Sequence, residues 1–123
     1  MYNNISVNND MLKKTEKILK ALGDKNRLRI INMLTVKEMC VCEITGILDL
    51  SQSTVSGHLK VLKEAEILED KKDGLWVEYN LNRNDEFITE LTDSILETFA
   101  NDKNMKKDIQ QAKKANREQL CRK

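Results

Sequence analysis

Proline is absent from the 123-residue chain, and glycine (four), phenylalanine (two), tyrosine (two) and tryptophan (one) are scarce. A chain without proline carries no forced helix break, and with so few aromatics its core must be aliphatic; both favour a helix-rich fold. Long apolar runs are missing too. No stretch approaches the roughly 20 residues that span a bilayer, and no signal-peptide pattern opens the sequence, so a soluble cytoplasmic protein with no membrane partner is expected. Cysteine numbers three, an odd count unsuited to a disulfide framework. In a reducing compartment, closely spaced thiols serve more often as metal ligands or redox groups.

What is present is enough apolar material, 40% of residues, for one compact domain and too short a chain for two. The overall charge of +1 conceals an uneven distribution. Residues 1–102 hold 13 Lys/Arg against 18 Asp/Glu, whereas residues 103–123 hold 8 against 2. An acidic body cannot attract nucleic acid through its overall field, so any such binding needs a local face, aided by the tail.

Residues 1–9 are polar and Asn-rich and read as a flexible N-terminal arm. From Asp10, taken as an N-cap, Met11, Leu12, Thr15, Ile18, Leu19 and Leu22 follow amphipathic helical spacing. Asp24 caps a second helix that buries Leu28, Ile30, Ile31 and Leu34 and leaves Arg27 and Arg29 more exposed. After a connector at 35–38, a short helix opened by Cys40 and Cys42 runs to about Asp49. Ser51 then caps a helix from Gln52 to about Ala65, and two helices joined by so short a turn fit a helix-turn-helix.

Val55, Leu59 and Leu62 face the core at i, i+4 and i+7, which turns Ser53, Ser56, Gly57 and Lys60 outward, with Gln52 and Lys63 beside them. Small residues permit close approach to bases, and Gln and Ser offer donors and acceptors in a major groove. His58 lies on the flank of this helix, suited to packing or a phosphate contact. Two strand-like runs, 67–71 and 75–81, flank Lys72-Asp73-Gly74 and form a β-hairpin wing, where Lys71 and Lys72 can meet phosphates. Asp85 starts a helix with Phe87, Ile88, Leu91, Ile95 and Phe99 in one stripe, which with the first helix reads as a homodimer interface. Residues 101–123 form a basic tail, expected as a weakly packed helix or disorder. The fold class is therefore mainly α with a β-hairpin wing, a winged helix-turn-helix, over residues 10–100.

Met39-Cys40-Val41-Cys42-Glu43-Ile44, the run from Leu50 to Leu62 and the run from Gly74 to Leu81 together resemble the ArsR/SmtB family of metal- and metalloid-responsive repressors. The resemblance implies a winged helix-turn-helix homodimer on double-stranded operator DNA, with no permanent cofactor and no enzymatic activity. The candidate DNA contacts are Gln52, Ser53, Thr54, Ser56, Gly57, His58, Lys60, Lys71 and Lys72. The Cys-Val-Cys element resembles the arsenite and antimonite site of some members and part of the cadmium and lead site of others. Cadmium-type members add cysteines from the N-terminal arm, yet residues 1–39 hold neither Cys nor His. Arsenic-type members often carry a further thiol shortly after the pair, where this chain has Thr45. No His follows His58, so the zinc-type site on the last family helix is not expected.

Soft thiolates select thiophilic ions. On a regular helix Cys40 and Cys42 point about 200° apart, so an ion that takes both is expected to distort the helix start and disturb the reading helix behind it. Cys121 is the other thiol in the chain and the candidate third ligand for As(III) or Sb(III). A rival reading keeps the DNA-binding fold and makes the pair a Cd(II)/Pb(II) site or a sensor of thiol oxidation. A thiol enzyme fits poorly, because residues 42–49 supply neither an anion-binding glycine loop nor an arginine.

Overall fold

The computed structural model describes residues 5–120, with side chains from Asp10 to Gln119. In chain order it contains α1 (Ile5–Leu22), α2 (Lys25–Leu34), β1 (Met39–Cys40), α3 (Val41–Leu48), α4 (Gln52–Glu64), β2 (Leu68–Asp73), β3 (Trp76–Leu81), α5 (Glu86–Glu97), α6 (Lys103–Lys114) and α7 (Arg117–Leu120). Ile18, Ile30, Ile31, Ile44, Val55 and Leu59 are fully buried and join helices α1 to α4 into one aliphatic core.

α1 begins at Ile5, not after Asp10, so residues 5–9 of the expected arm are helical. Asn and Asp cost a helix interior no more than about 0.7 kcal/mol each, too little to stop a helix anchored further along. Residues 1–4 lie outside the described residues.

The helix-turn-helix forms where expected. Asp49 ends α3 in the left-handed conformation (φ 57°, ψ 45°), which Asp tolerates better than most residues, and this folds the chain back within three residues. Ser51 Oγ then accepts the Thr54 N–H at 3.2 Å and caps α4. Three strands pair in the order β1-β3-β2, all antiparallel. The wing turn is Gly74-Leu75, one residue later than the Asp-Gly signal indicates, because Asp73 still pairs with Trp76. Gly74 takes φ +63° there, a conformation open to glycine without strain.

The tail departs most from expectation. α6 packs against α2 and α3 with Met105, Asp108 and Ala112 buried. Arg29, expected to be exposed, donates to both oxygens of Asp108 at 2.7 and 3.0 Å, and Asn32 donates to the Met105 carbonyl at 3.1 Å. A polar helix is thereby fixed by specific hydrogen bonds together with the buried Met105 and Ala112 side chains.

α5 starts at its Asp85 cap, which accepts the Ile88 N–H at 3.0 Å. An ion pair with Lys14 of α1 holds the Asp85 carboxyl below the usual range. Along α5 only Ile88 and Thr92 are buried, while Phe87, Leu91 and Ile95 are half-buried. On α1, Leu12 is 71% and Leu19 52% exposed. No helix among the described residues is long and apolar enough to cross a membrane.

Candidate metal centre and nucleic-acid interface

Cys40 ends β1 and serves as the N-cap of α3 in an extended conformation (φ −94°, ψ 168°), whereas Cys42 lies in the first turn of α3. The two residues therefore do not share a helix, and their sulfurs stand 3.6 Å apart. This overturns the expectation that the pair diverges by about 200° and that capture of an ion must unwind the helix. The extended backbone at the cap swings Cys40 back over the first turn.

Glu43 holds the arrangement. Its Oε1 accepts the Cys40 N–H at 2.9 Å and the Cys40 thiol at 3.3 Å, a capping box written Cys-x-x-Glu. A Glu three residues after a cap is a legible signal, although Glu43 has no role of its own in the sequence reading. Cys40 is 2% exposed, and burial pushes its thiol above the ordinary value; backbone N–H groups of Glu43 and Cys42 pull the other way, and the Glu43 carboxylate adds to the rise. Coordination needs the deprotonated sulfur, so an incoming ion must displace that proton.

Among the described residues, no group of three or more His, Cys, Asp and Glu side chains is placed to hold an ion. The third candidate, Cys121, lies outside the described residues. Thr45, one turn beyond Cys42, buries its hydroxyl without a hydrogen-bond partner among the described residues.

On α4, Gln52, Ser53, Thr54, Ser56, Gly57 and Lys60 are all exposed, and Val55, Leu59 and Leu62 are buried. A Cβ added at Gly57 would meet nothing within 4 Å, so packing inside the chain does not require glycine there. His58 is half-buried, with Nδ1 3.2 Å from Arg27 Nη1. Because a guanidinium only donates, Nδ1 is the accepting atom in this contact. Arg27, expected among the more exposed residues, also donates to the carbonyls of Ala21 at 2.7 Å and Lys20 at 3.3 Å, tying the end of α1 to α4. On the wing, Lys72 is exposed and Lys71 pairs with Glu38 at 3.0 Å. Arg117 of α7 reaches the same hairpin, a contact that nothing in the sequence pattern announces.

Residues 24–70 match the family model described as "Bacterial regulatory protein, arsR family". The chain is 39% identical over 74 residues to the arsenical resistance operon repressor of Bacillus subtilis, a match covering 59% of this chain and 70% of that one. The chain belongs to the ArsR family. Another ArsR-type relative, a homolog of the cadmium resistance regulatory protein CadC from Staphylococcus aureus, is 37% identical over 78 residues, covering 63% of each chain. Among solved structures, reduced HlyU from Vibrio cholerae superposes with a TM-score of 0.66 at 27% identity, over 75% of this chain and 95% of that one. The homodimeric winged helix-turn-helix domain Mb0332 from Mycobacterium bovis gives a TM-score of 0.68 at 22% identity, over 80% and 89% of the two chains, and so shares the fold. The fold of this ArsR-family chain is accordingly the winged helix-turn-helix.

Proposed function

We propose that this chain is a cytoplasmic, homodimeric, non-catalytic transcriptional repressor that leaves its operator DNA when As(III) or Sb(III) binds Cys40 and Cys42, with Cys121 as the third thiolate. The observation that carries this reading is the 3.6 Å separation of the two sulfurs at the start of a helix packed against α4. Thiolate–metal bonds of about 2.3 Å at angles of roughly 95 to 110° set two sulfurs about 3.4 to 3.8 Å apart, so the pair is already spaced for one ion. For Cys121, the support is that α7 packs on α3 and ends at Leu120, the preceding residue.

In this reading α4 enters the major groove with Gln52, Ser53, Thr54, Ser56, Gly57 and Lys60, while His58, Lys71 and Lys72 meet phosphates. The exposed Leu12 and Leu19 of α1, with the half-buried stripe of α5, form the two-fold contact that sets two reading helices side by side. Release of DNA requires only that the ion prefer one arrangement and DNA another. A coupling of about 3 kcal/mol weakens DNA binding roughly 150-fold.

A second reading, in which Cd(II) or Pb(II) is the inducer, draws on the cadmium-resistance relative and on a sulfur spacing that also suits a divalent ion. Fluorescence anisotropy on duplex DNA from upstream of the gene, titrated with arsenite, cadmium, zinc and peroxide, separates the readings. Release by arsenite is expected; release by cadmium or peroxide with indifference to arsenite moves the assignment to the rival sensor.

A further inference from the structure

Cys40 is the direct cross-strand partner of Glu78 in the β1–β3 ladder. The Glu78 carboxylate accepts from Arg117 Nη1 at 2.7 Å, and Arg117 Nη2 reaches Asp73 at 3.0 Å. The same guanidinium lies over the Trp76 ring, 4.2 Å from its centroid. Asp73 closes β2 and Trp76 opens β3, so one side chain grips both strands of the wing beside its turn. The planar fork of arginine, with donors set to meet two carboxylates and a face to stack on indole, suits this triple contact in a way a lysine ammonium does not.

Arg117 belongs to α7, which packs on α3, and α6 before it is fixed to α2 through Arg29 and Asp108. The wing is thus tied to the sulfur pair by two routes. One runs along the ladder from β1, where Cys40 sits; the other runs through Arg117 and α7 to α3, where Cys42 sits. An ion that bridges both sulfurs fixes β1 relative to α3, and any shift between these two elements reaches the hairpin through the β1–β3 ladder and through Arg117. β1 pairs with β3 only at Glu78 and Tyr79, so the Lys72–Val77 and Asp73–Trp76 pairs beside the turn extend beyond the third strand, and Arg117 meets the hairpin there.

Building on the sensor reading above, we propose that Arg117 is a positioning residue, which holds the wing in its DNA-competent orientation and carries the state of the Cys40–Cys42 pair to it. Arg117 touches neither the ion nor the bases. Its effect lies in how strongly the two binding events oppose each other.

Trp76 is the single tryptophan of the chain, so its emission reports the stacked guanidinium directly. The experiment follows Trp76 emission during arsenite titration of DNA-free protein and, in parallel, operator affinity with and without arsenite, for wild type, Cys40→Ser, Arg117→Ala, Arg117→Lys and Glu78→Gln. In wild type, emission is expected to change over the arsenite range that releases DNA, and in Cys40→Ser it stays constant. In Arg117→Ala the emission is displaced at the outset and the ratio of operator affinities without and with arsenite falls at least fivefold. Arg117→Lys and Glu78→Gln, which preserve size and part of the contact set, give intermediate ratios.

Two results overturn the proposal while leaving the sensor reading intact. One is an unchanged affinity ratio in Arg117→Ala and Glu78→Gln; the other is DNA release by arsenite with constant Trp76 emission. Failure of arsenite to release DNA from the wild type overturns both.

Discussion

The sulfurs of Cys40 and Cys42 stand 3.6 Å apart although their residues belong to different elements, one closing strand β1 and the other in the first turn of α3. A ligand for both is therefore a cross-link between the wing sheet and the helix that precedes the reading helix. Since the sulfurs already converge, capture as proposed requires no unwinding, and the proposed response is a change in how β1 and α3 sit relative to each other.

The buried Cys40 thiol gives the fold a pH dependence of definite sign. Its value is raised in the folded chain above the ordinary 9.0, so the folded state holds the proton more tightly than the unfolded one. That contribution is complete below the ordinary thiol value and is lost as pH rises through the folded one. Urea unfolding of wild type and Cys40→Ser between pH 7 and pH 10 should show the wild type losing stability relative to the variant only at the alkaline end. A difference that is flat over the range contradicts the burial argument.

Removing Asp108 leaves the half-buried Arg29 guanidinium without its two acceptors. Breaking a fully buried pair costs about 3 to 5 kcal/mol, and because Arg29 retains some solvent the cost here is expected nearer 2 to 3. Asp108→Ala should lower the urea midpoint accordingly, and Arg29→Met with Asp108→Leu should recover most of the loss. Wild-type stability in Asp108→Ala would mean that α6 contributes little to the fold.

How much of this was legible in the sequence depends on the range of the interactions involved. The Ser51 cap, the Val55, Leu59 and Leu62 stripe and the Gly74 turn are local signals, and each forms where its pattern points, within one residue. β1 is only two residues long and gains its identity from pairing with β3, forty positions away, so no periodicity marks it. A Cys-x-Cys spacing carries no φ or ψ, and the convergence of the sulfurs follows from that unmarked strand. A helix in the tail is within reach of the sequence but its packing is not, because the composition is polar and long-range pairs such as Arg29–Asp108, Asn32–Met105 and Arg117–Glu78 leave no pattern along a chain.

If α4 docks on DNA as proposed, Gly57 separates folding from DNA binding. A methyl group there meets nothing within 4 Å among the described residues, and alanine is favoured over glycine in a helix by about 1 kcal/mol. Gly57→Ala should raise the thermal midpoint and yet weaken operator binding at least tenfold, because the added methyl occupies the space the bases approach. Equal DNA affinity in the variant would remove Gly57 from the reading face.

Thr45 stands one turn after Cys42 with a buried hydroxyl that has no hydrogen-bond partner among the described residues. Thr45→Cys supplies a sulfur at nearly the same volume, on the face adjoining the pair. Arsenite should then release DNA at a concentration at least threefold lower than for wild type, read by anisotropy. No change would place Thr45 outside the ion's reach.

The central claim is tested most directly by operator anisotropy for wild type, Cys40→Ser and Cys42→Ser, each titrated with arsenite at constant pH and salt. All three proteins are expected to bind the duplex with similar affinity, since neither cysteine lies on α4; arsenite then releases the wild type and leaves both variants bound. Release of either variant at the wild-type arsenite concentration would contradict the account, because it would show that DNA is lost without the paired sulfurs.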